Sequence, residues 1–130
     1  MEYNVAIPSL SRPCALKKKT LRLLERYKIP KSSIYIFVIE CEYEIYKSII
    51  GDGYNLVVGV CGIANQRNFI SNYFDMDSYI LSIDDDIEDM YFLEDETKLT
   101  SINNLKVVIN FIINTMDSGN INLAGVYHHP

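Results

Sequence analysis

Ile34-Tyr35-Ile36-Phe37-Val38-Ile39 is apolar at every position, and four of its six residues are β-branched. A strand with one wet face would alternate apolar and polar residues. An unbroken run of this length marks a strand covered on both faces, the situation of a parallel sheet between helices. The flanks extend the same pattern. Upstream, residues 3–7 form a short apolar run stopped by Pro8, a predicted first strand. Ser11 as cap and Pro13 in the first turn open a helix predicted to reach Tyr27, with Leu16, Thr20, Leu23, Leu24 and Tyr27 on one face. Lysines 17–19 read as part of its solvated side, and Ile29-Pro30 ends it.

Downstream, a helix is expected over 42–49, a Gly51-Asp52-Gly53 turn, and a strand over 55–60. A loop with Gly62 then leads to a helix over 64–74 whose Phe69, Ile70, Tyr73 and Phe74 form a core stripe, and a fourth strand over 79–83 runs straight into Asp84-Asp85-Asp86. Residues 107–113 have strand composition. Leu105, Val108, Ile109, Ile112 and Met116 follow helical spacing, however, and predict a helix over 103–116, with a last strand over 121–127. Strands separated by helices imply right-handed crossovers and one α/β domain over 1–130, a Rossmann-like, mostly parallel sheet flanked by helices.

Composition narrows the function classes. Hydrophobic residues make up 48% of the 130 and charged residues 22%, which excludes a disordered, collagenous or coiled-coil chain. Twelve Lys and Arg against seventeen Asp and Glu give a net charge of −5, a poor match for broad nucleic-acid binding. The longest apolar stretch, residues 56–64, is far short of the roughly 18 residues of a membrane span. Val5-Ala6-Ile7, followed by Lys17-Lys18-Lys19, is too short for the core of a signal peptide. Cys14, Cys41 and Cys61 form no C-x-x-C unit and cannot all pair internally, so they read as small buried hydrophobes in a reducing cytoplasm. Ile, Tyr and Asn, encoded by AT-rich codons, are frequent, a bias that would suit a large DNA virus and place the protein in its host's cytoplasm. The chain contains neither a G-x-x-x-x-G-K-[ST] phosphate loop nor a G-x-G-x-x-G dinucleotide fingerprint.

Parallel sheets take their ligands beyond the carboxyl ends of their strands. The residues expected there are Ser9, Leu10 and Arg12, then Glu40, then Gly62 and Arg67, then Asp84 to Asp86. Three consecutive carboxylates repel one another, and burial would raise their pKa values; a divalent cation relieves both. Strand side chains alternate, so Asp84 and Asp86 face one way together. Mg²⁺ and Mn²⁺ prefer oxygen ligands and complete their shells with phosphates and water, so this pair suits an ion bridging to a diphosphate. The plainer alternative is an acidic turn, continued by Glu88 and Asp89, that keeps a strand end soluble. An EF-hand is a poor fit because Asp89 stands where that loop needs Gly.

Val5-Ala6-Ile7-Pro8-Ser9-Leu10-Ser11-Arg12-Pro13 with Lys19-Thr20-Leu21-x-Leu23-Leu24 resembles the opening of GT-A glycosyltransferases. So, more closely, does Gly59-Val60-Cys61-Gly62-Ile63-x-x-x-Arg67-Asn68-Phe69-Ile70 followed by Ile80-Leu81-Ser82-Ile83-Asp84-Asp85-Asp86-Ile87. The likeness covers roughly residues 3–92 and is nearest to the TET-associated glycosyltransferase group of phages, viruses and some microbes. It implies transfer of a sugar from a UDP- or GDP-linked donor to an acceptor, with Mn²⁺ or Mg²⁺ as cofactor. It further implies that Ser9, Leu10 and Glu40 hold the nucleoside, that Arg67, in the first turn of its helix, and Arg12 reach base or diphosphate, and that Asp86 ligates the ion. Asp84 would touch ribose or ion, and Asp85 would point away or meet the ion through water.

Enzymes of that type run longer than this chain, so the resemblance implies an acceptor-side half that is short or missing, and with it possible completion by a second copy. Glu94 and Asp95, with Glu96 beside them, are the nearby carboxylates available as catalytic base, and His128 is a candidate further metal ligand. A nucleotide-sugar-binding module without turnover, or another metal-dependent enzyme acting on phosphates, are the alternatives.

Overall fold

A computed structural model of the chain describes residues 2–95 and 98–125. Four strands, β1 (Asn4–Pro8), β2 (Ile34–Val38), β3 (Asn55–Val58) and β4 (Ile80–Ser82), pair in parallel in the order β3-β2-β1-β4. Val5 lies opposite Ile34 and Leu81, and Ile36 opposite Leu56. Period-two alternation sends the strand side chains into two cores. Val5, Ile7, Ile34, Ile36 and Val38 join Leu16, Leu21 and Leu24 on one face. Ala6 and Phe37 join Ile70 on the other. The quoted apolar strand is thus covered on both sides. The chain is a Rossmann-like α/β fold.

The order of the strands places the site. The chain steps outward from β1 through β2 to β3, then returns to lay β4 against the opposite edge of β1. The direction of winding therefore reverses between β1 and β4, and a crevice at the carboxyl ends of two such strands is where open α/β sheets bind ligands.

The helices are α1 (Pro13–Lys18), α2 (Thr20–Arg26), α3 (Tyr43–Ile50), α4 (Ile63–Tyr73) and α5 (Leu105–Gly119). The single helix expected after β1 is bent into two at Lys19, whose φ of −110° and ψ of −86° leave the helical region. Backbone bonds still cross the bend, from Lys19 N–H to Ala15 and from Leu23 N–H to the Lys19 carbonyl. The bend coincides with Thr20, a buried residue whose hydroxyl serves the loop after β4. Pro13 takes the first position of α1 as expected, but no side chain caps that helix; Ser11 instead bonds Glu42.

Three local expectations change. All three cysteines are exposed and free rather than buried. Residues 121–125 form no strand: Asn120 adopts the left-handed conformation, with φ 53°, and Ile121 N–H closes the end of α5 on the Met116 carbonyl. The Tyr127 end of that expected strand lies outside the described residues, as do Glu96 and His128. Conversely, β5 (Tyr91–Leu93) and β6 (Leu99–Ser101) form an antiparallel hairpin in a stretch for which no element was expected.

Fully buried Phe37 contacts the rings of Phe69, Tyr73 and Phe74 at centroid distances of 5.3 to 6.1 Å, tying α4 and the residue after it to the sheet. Phe37→Ala should cost about 3–5 kcal/mol in urea denaturation, and a loss below about 1 kcal/mol would mean that α4 does not pack there.

Candidate functional site

Asp85, the middle residue of the acidic triplet, turns inward and is 1% exposed. A carboxylate taken out of water must be paired and hydrogen-bonded, and here a ring of groups does this. The Arg12 guanidinium donates to Asp85 Oδ1 at 2.5 Å. Ser9 Oγ donates to Oδ2 at 2.7 Å. With its proton committed there, Ser9 accepts from the Tyr46 hydroxyl at 2.6 Å, and Tyr46 in turn accepts from the Arg12 backbone N–H at 3.1 Å. The ring therefore starts and ends on Arg12. It joins the loop after β1, helix α3 and the loop after β4.

Fixing Asp85 inward sends its neighbours outward. Asp84 and Asp86 are exposed. Arg67 donates to Asp84 Oδ1 at 3.0 Å and to Ser82 Oγ at 3.4 Å. The second nitrogen of Arg12 lies 3.5 Å from Asp86 Oδ2. The loop is also held through its backbone: Thr20 Oγ1 donates to the Asp84 carbonyl at 2.6 Å and accepts from Ile87 N–H at 3.0 Å. Beyond the triplet, Glu88 pairs with Lys19 at 3.4 Å and Asp89 with Arg26 at 2.9 Å.

Arg67 sits one residue further into α4 than expected, just past the first turn, because the helix begins at Ile63. Its neighbour Gln66 is buried and accepts from Val60 N–H at 2.9 Å, which locks the β3–α4 loop. A Cβ at Gly59 would fall 2.0 Å from Gln66 Oε1, so this lock requires glycine there.

Ser9, Arg12, Arg67, Asp84 and Asp86 are thus brought to one end of the sheet. Leu10 is exposed beside them at the tip of the first loop. Glu40 opens the turn after β2 and is also exposed, while the carboxylate actually held by the first loop is Glu42, which takes Ser11 N–H at 2.9 Å and Ser11 Oγ at 2.7 Å. Glu94 and Asp95 fall on the separate β5–β6 hairpin. There Lys98 Nζ lies 3.1 Å from Glu94, and Thr100 and Lys98 hold that carboxyl below its ordinary range. Asp95 Oδ1 accepts from Lys98 N–H. Tyr46, Gln66 and Glu42 brace the site and belong to no motif in the sequence, and Thr20 was read only as part of a helix face and of the opening segment; each acts through polar side-chain atoms that meet a partner on another element or across a turn. The chain matches no protein-family model, no curated protein and no solved structure.

Asp85→Asn keeps the shape of the buried group but presents a donor to Arg12 or Ser9, and should lower stability by about 1–3 kcal/mol in urea. Burial is the main cause that raises the Tyr46 phenol, against bonds from Ser9 and Arg12 that lower it; burial also raises Tyr3 and Tyr54. The folded state therefore holds these protons more tightly than the unfolded chain does. Their stabilisation is complete below pH about 10 and is lost as pH climbs through the folded pKa values. Urea midpoints should stay level to that point and then fall, with a shallower fall in Tyr46→Phe.

Proposed function

We propose that this chain binds a nucleotide-diphosphate sugar, UDP- or GDP-linked, through Mn²⁺ or Mg²⁺, and serves metal-dependent glycosyl transfer from it to an acceptor. The observation that carries this reading is the set of two outward carboxylates, Asp84 and Asp86, each beside a guanidinium, at the switch point between β1 and β4.

The donor set fits a hard divalent ion: exposed carboxylate oxygens on either side of an anchored residue, with no soft ligand among them. Among the described residues no three His, Cys, Asp or Glu side chains gather to hold an ion, so phosphate oxygens and water would supply the remaining ligands. Such an ion, when bound, offsets negative charge on a diphosphate.

The chain's own part is electrostatic. Arg67 and Arg12 present planar forks that match phosphate oxygens, and both are about half exposed and within reach of a ligand at Asp84 and Asp86. Charge that gathers on the departing nucleotide as the glycosidic bond breaks is met by donors already in place. Asp85 keeps Arg12 oriented without touching the ligand. Ser9 commits its hydroxyl to Asp85 and Tyr46 and its N–H to the Phe37 carbonyl, which leaves its backbone carbonyl for the nucleoside.

Binding without turnover is the second reading, favoured by Glu94. A general base works best with a pKa near the operating pH, whereas Glu94 is held low and paired with Lys98.

Calorimetry with UDP- and GDP-sugars should show affinity that depends on Mn²⁺ and disappears in Asp86→Ala; equal affinity in variant and parent would refute the metal site. Arg67→Ala should slow release of free nucleotide diphosphate by about 10²–10³-fold. Tight binding with no release in the presence of acceptors selects the second reading.

A further inference from the structure

Residues 12–31 hold eight of the chain's twelve lysines and arginines and a single carboxylate, Glu25. Residues 84–95 hold seven carboxylates and no lysine or arginine. Within one molecule these two segments already meet: Arg12, Lys19 and Arg26 pair with Asp85, Glu88 and Asp89. That contact uses one side of the α1–α2 pair. On another side, the cations Lys17, Lys18, Arg22 and Lys31, with the single carboxylate Glu25 among them, line an open groove of about 520 Å³ together with Leu21, Ile50 and Tyr54. None of these four cations makes an ion pair among the described residues, and Lys31 lies over the Tyr54 ring, 5.1 Å from its centre.

An occupant of this groove must bring negative charge for the rim and apolar surface for the floor. A long polyanion is disfavoured by the net charge of −5. The chain itself displays such a combination elsewhere: on the β5–β6 hairpin Tyr91, Phe92 and Leu93 are each more than half exposed, and Glu94 and Asp95, set against the one cation Lys98 that pairs with Glu94, leave the described part of the hairpin net negative. Three adjacent exposed apolar residues on a two-stranded hairpin form the kind of patch that marks an interaction surface.

We propose that the β5–β6 hairpin of one copy docks in the α1–α2 groove of a second copy. Groove and hairpin are different surfaces, so the contact is head-to-tail, and it closes into a ring or propagates as an open chain. The interface stands independently of the ligand bound at the aspartate triplet.

Analytical ultracentrifugation tests it. The parent chain should gain mass above 15.0 kDa as its concentration rises. It should lose that association near 1 M salt, where charges are screened within roughly 3 Å. Lys17→Glu/Lys18→Glu/Arg22→Glu spoils the groove and Phe92→Ser spoils the hairpin; the altered residues are exposed, and circular dichroism should match the parent in both. Each variant alone should remain a monomer. Mixed, they retain one intact groove and one intact hairpin between them and should form a discrete one-to-one dimer. A parent that stays monomeric at every concentration overturns the proposal. So does association that persists in either variant, a mixture that stays monomeric, or a monomeric parent that instead binds polyphosphate or an oligonucleotide through these lysines.

Discussion

One buried carboxylate organises the end of the sheet. Asp85 is deprived of water, and its two oxygens are satisfied by Arg12 and Ser9, which reach it from the loop after β1, while Tyr46 completes the ring from α3. Three elements separated by more than thirty residues in sequence are thereby fixed relative to one another. Arg12 is about half exposed, so its loss would open a guanidinium-sized gap to water, whereas the Asp85 carboxylate left behind is buried. The energetic weight therefore rests on the carboxylate. An isolated buried ion would be costly; two donors on its oxygens, linked to each other through Tyr46, make the arrangement tolerable and specify a single geometry.

That geometry separates the triplet into a structural residue and two available ones. Asp85 and Asp86 lie in a turn after β4, and with Asp85 anchored inward Asp84 and Asp86 stay outside, each resting on a guanidinium from a different element. Mutual repulsion between the outer carboxylates is offset by Arg67 and Arg12 before any ligand arrives. In the proposed reading, the same two arginines would also meet the diphosphate. The arrangement is preorganised in the sense that its donors are held by packing, through Gln66 on one side and Asp85 on the other, rather than recruited at the moment of binding.

Much of the fold was legible because its signals are local. The apolar run at Ile34–Val38 announced a strand covered on both faces, and the helical spacing of Leu105, Ile109 and Ile112 correctly outweighed the strand composition of the same segment. Period-two alternation was expected to set Asp84 and Asp86 apart from Asp85, but β4 ends at Ser82 and Asp85-Asp86 form a turn, so the separation comes from the anchor on Asp85. Alternation did not reveal that Asp85 points into the interior, because that depends on Ser9, Arg12 and Tyr46 arriving from elsewhere. Glu42 replaced Glu40 beside the first loop for a similar reason: two residues along a tight turn changes the direction of a side chain completely. The hairpin escaped notice because each strand has three residues, below the length at which alternation can be read. The cysteines were misjudged on residue type alone, and their neighbours in space put them at the surface.

Thr20 gives the acidic loop a different kind of support. Its hydroxyl clasps one main-chain oxygen and one main-chain nitrogen on either side of Asp85 and Asp86, and none of these atoms carries formal charge. A change of counter-ion at the exposed tips of Asp84 and Asp86 leaves this clasp intact. The loop can therefore exchange its electrostatic partners while its path through space is conserved, so that the electrical state of the mouth and the shape of its rim are set by separate atoms.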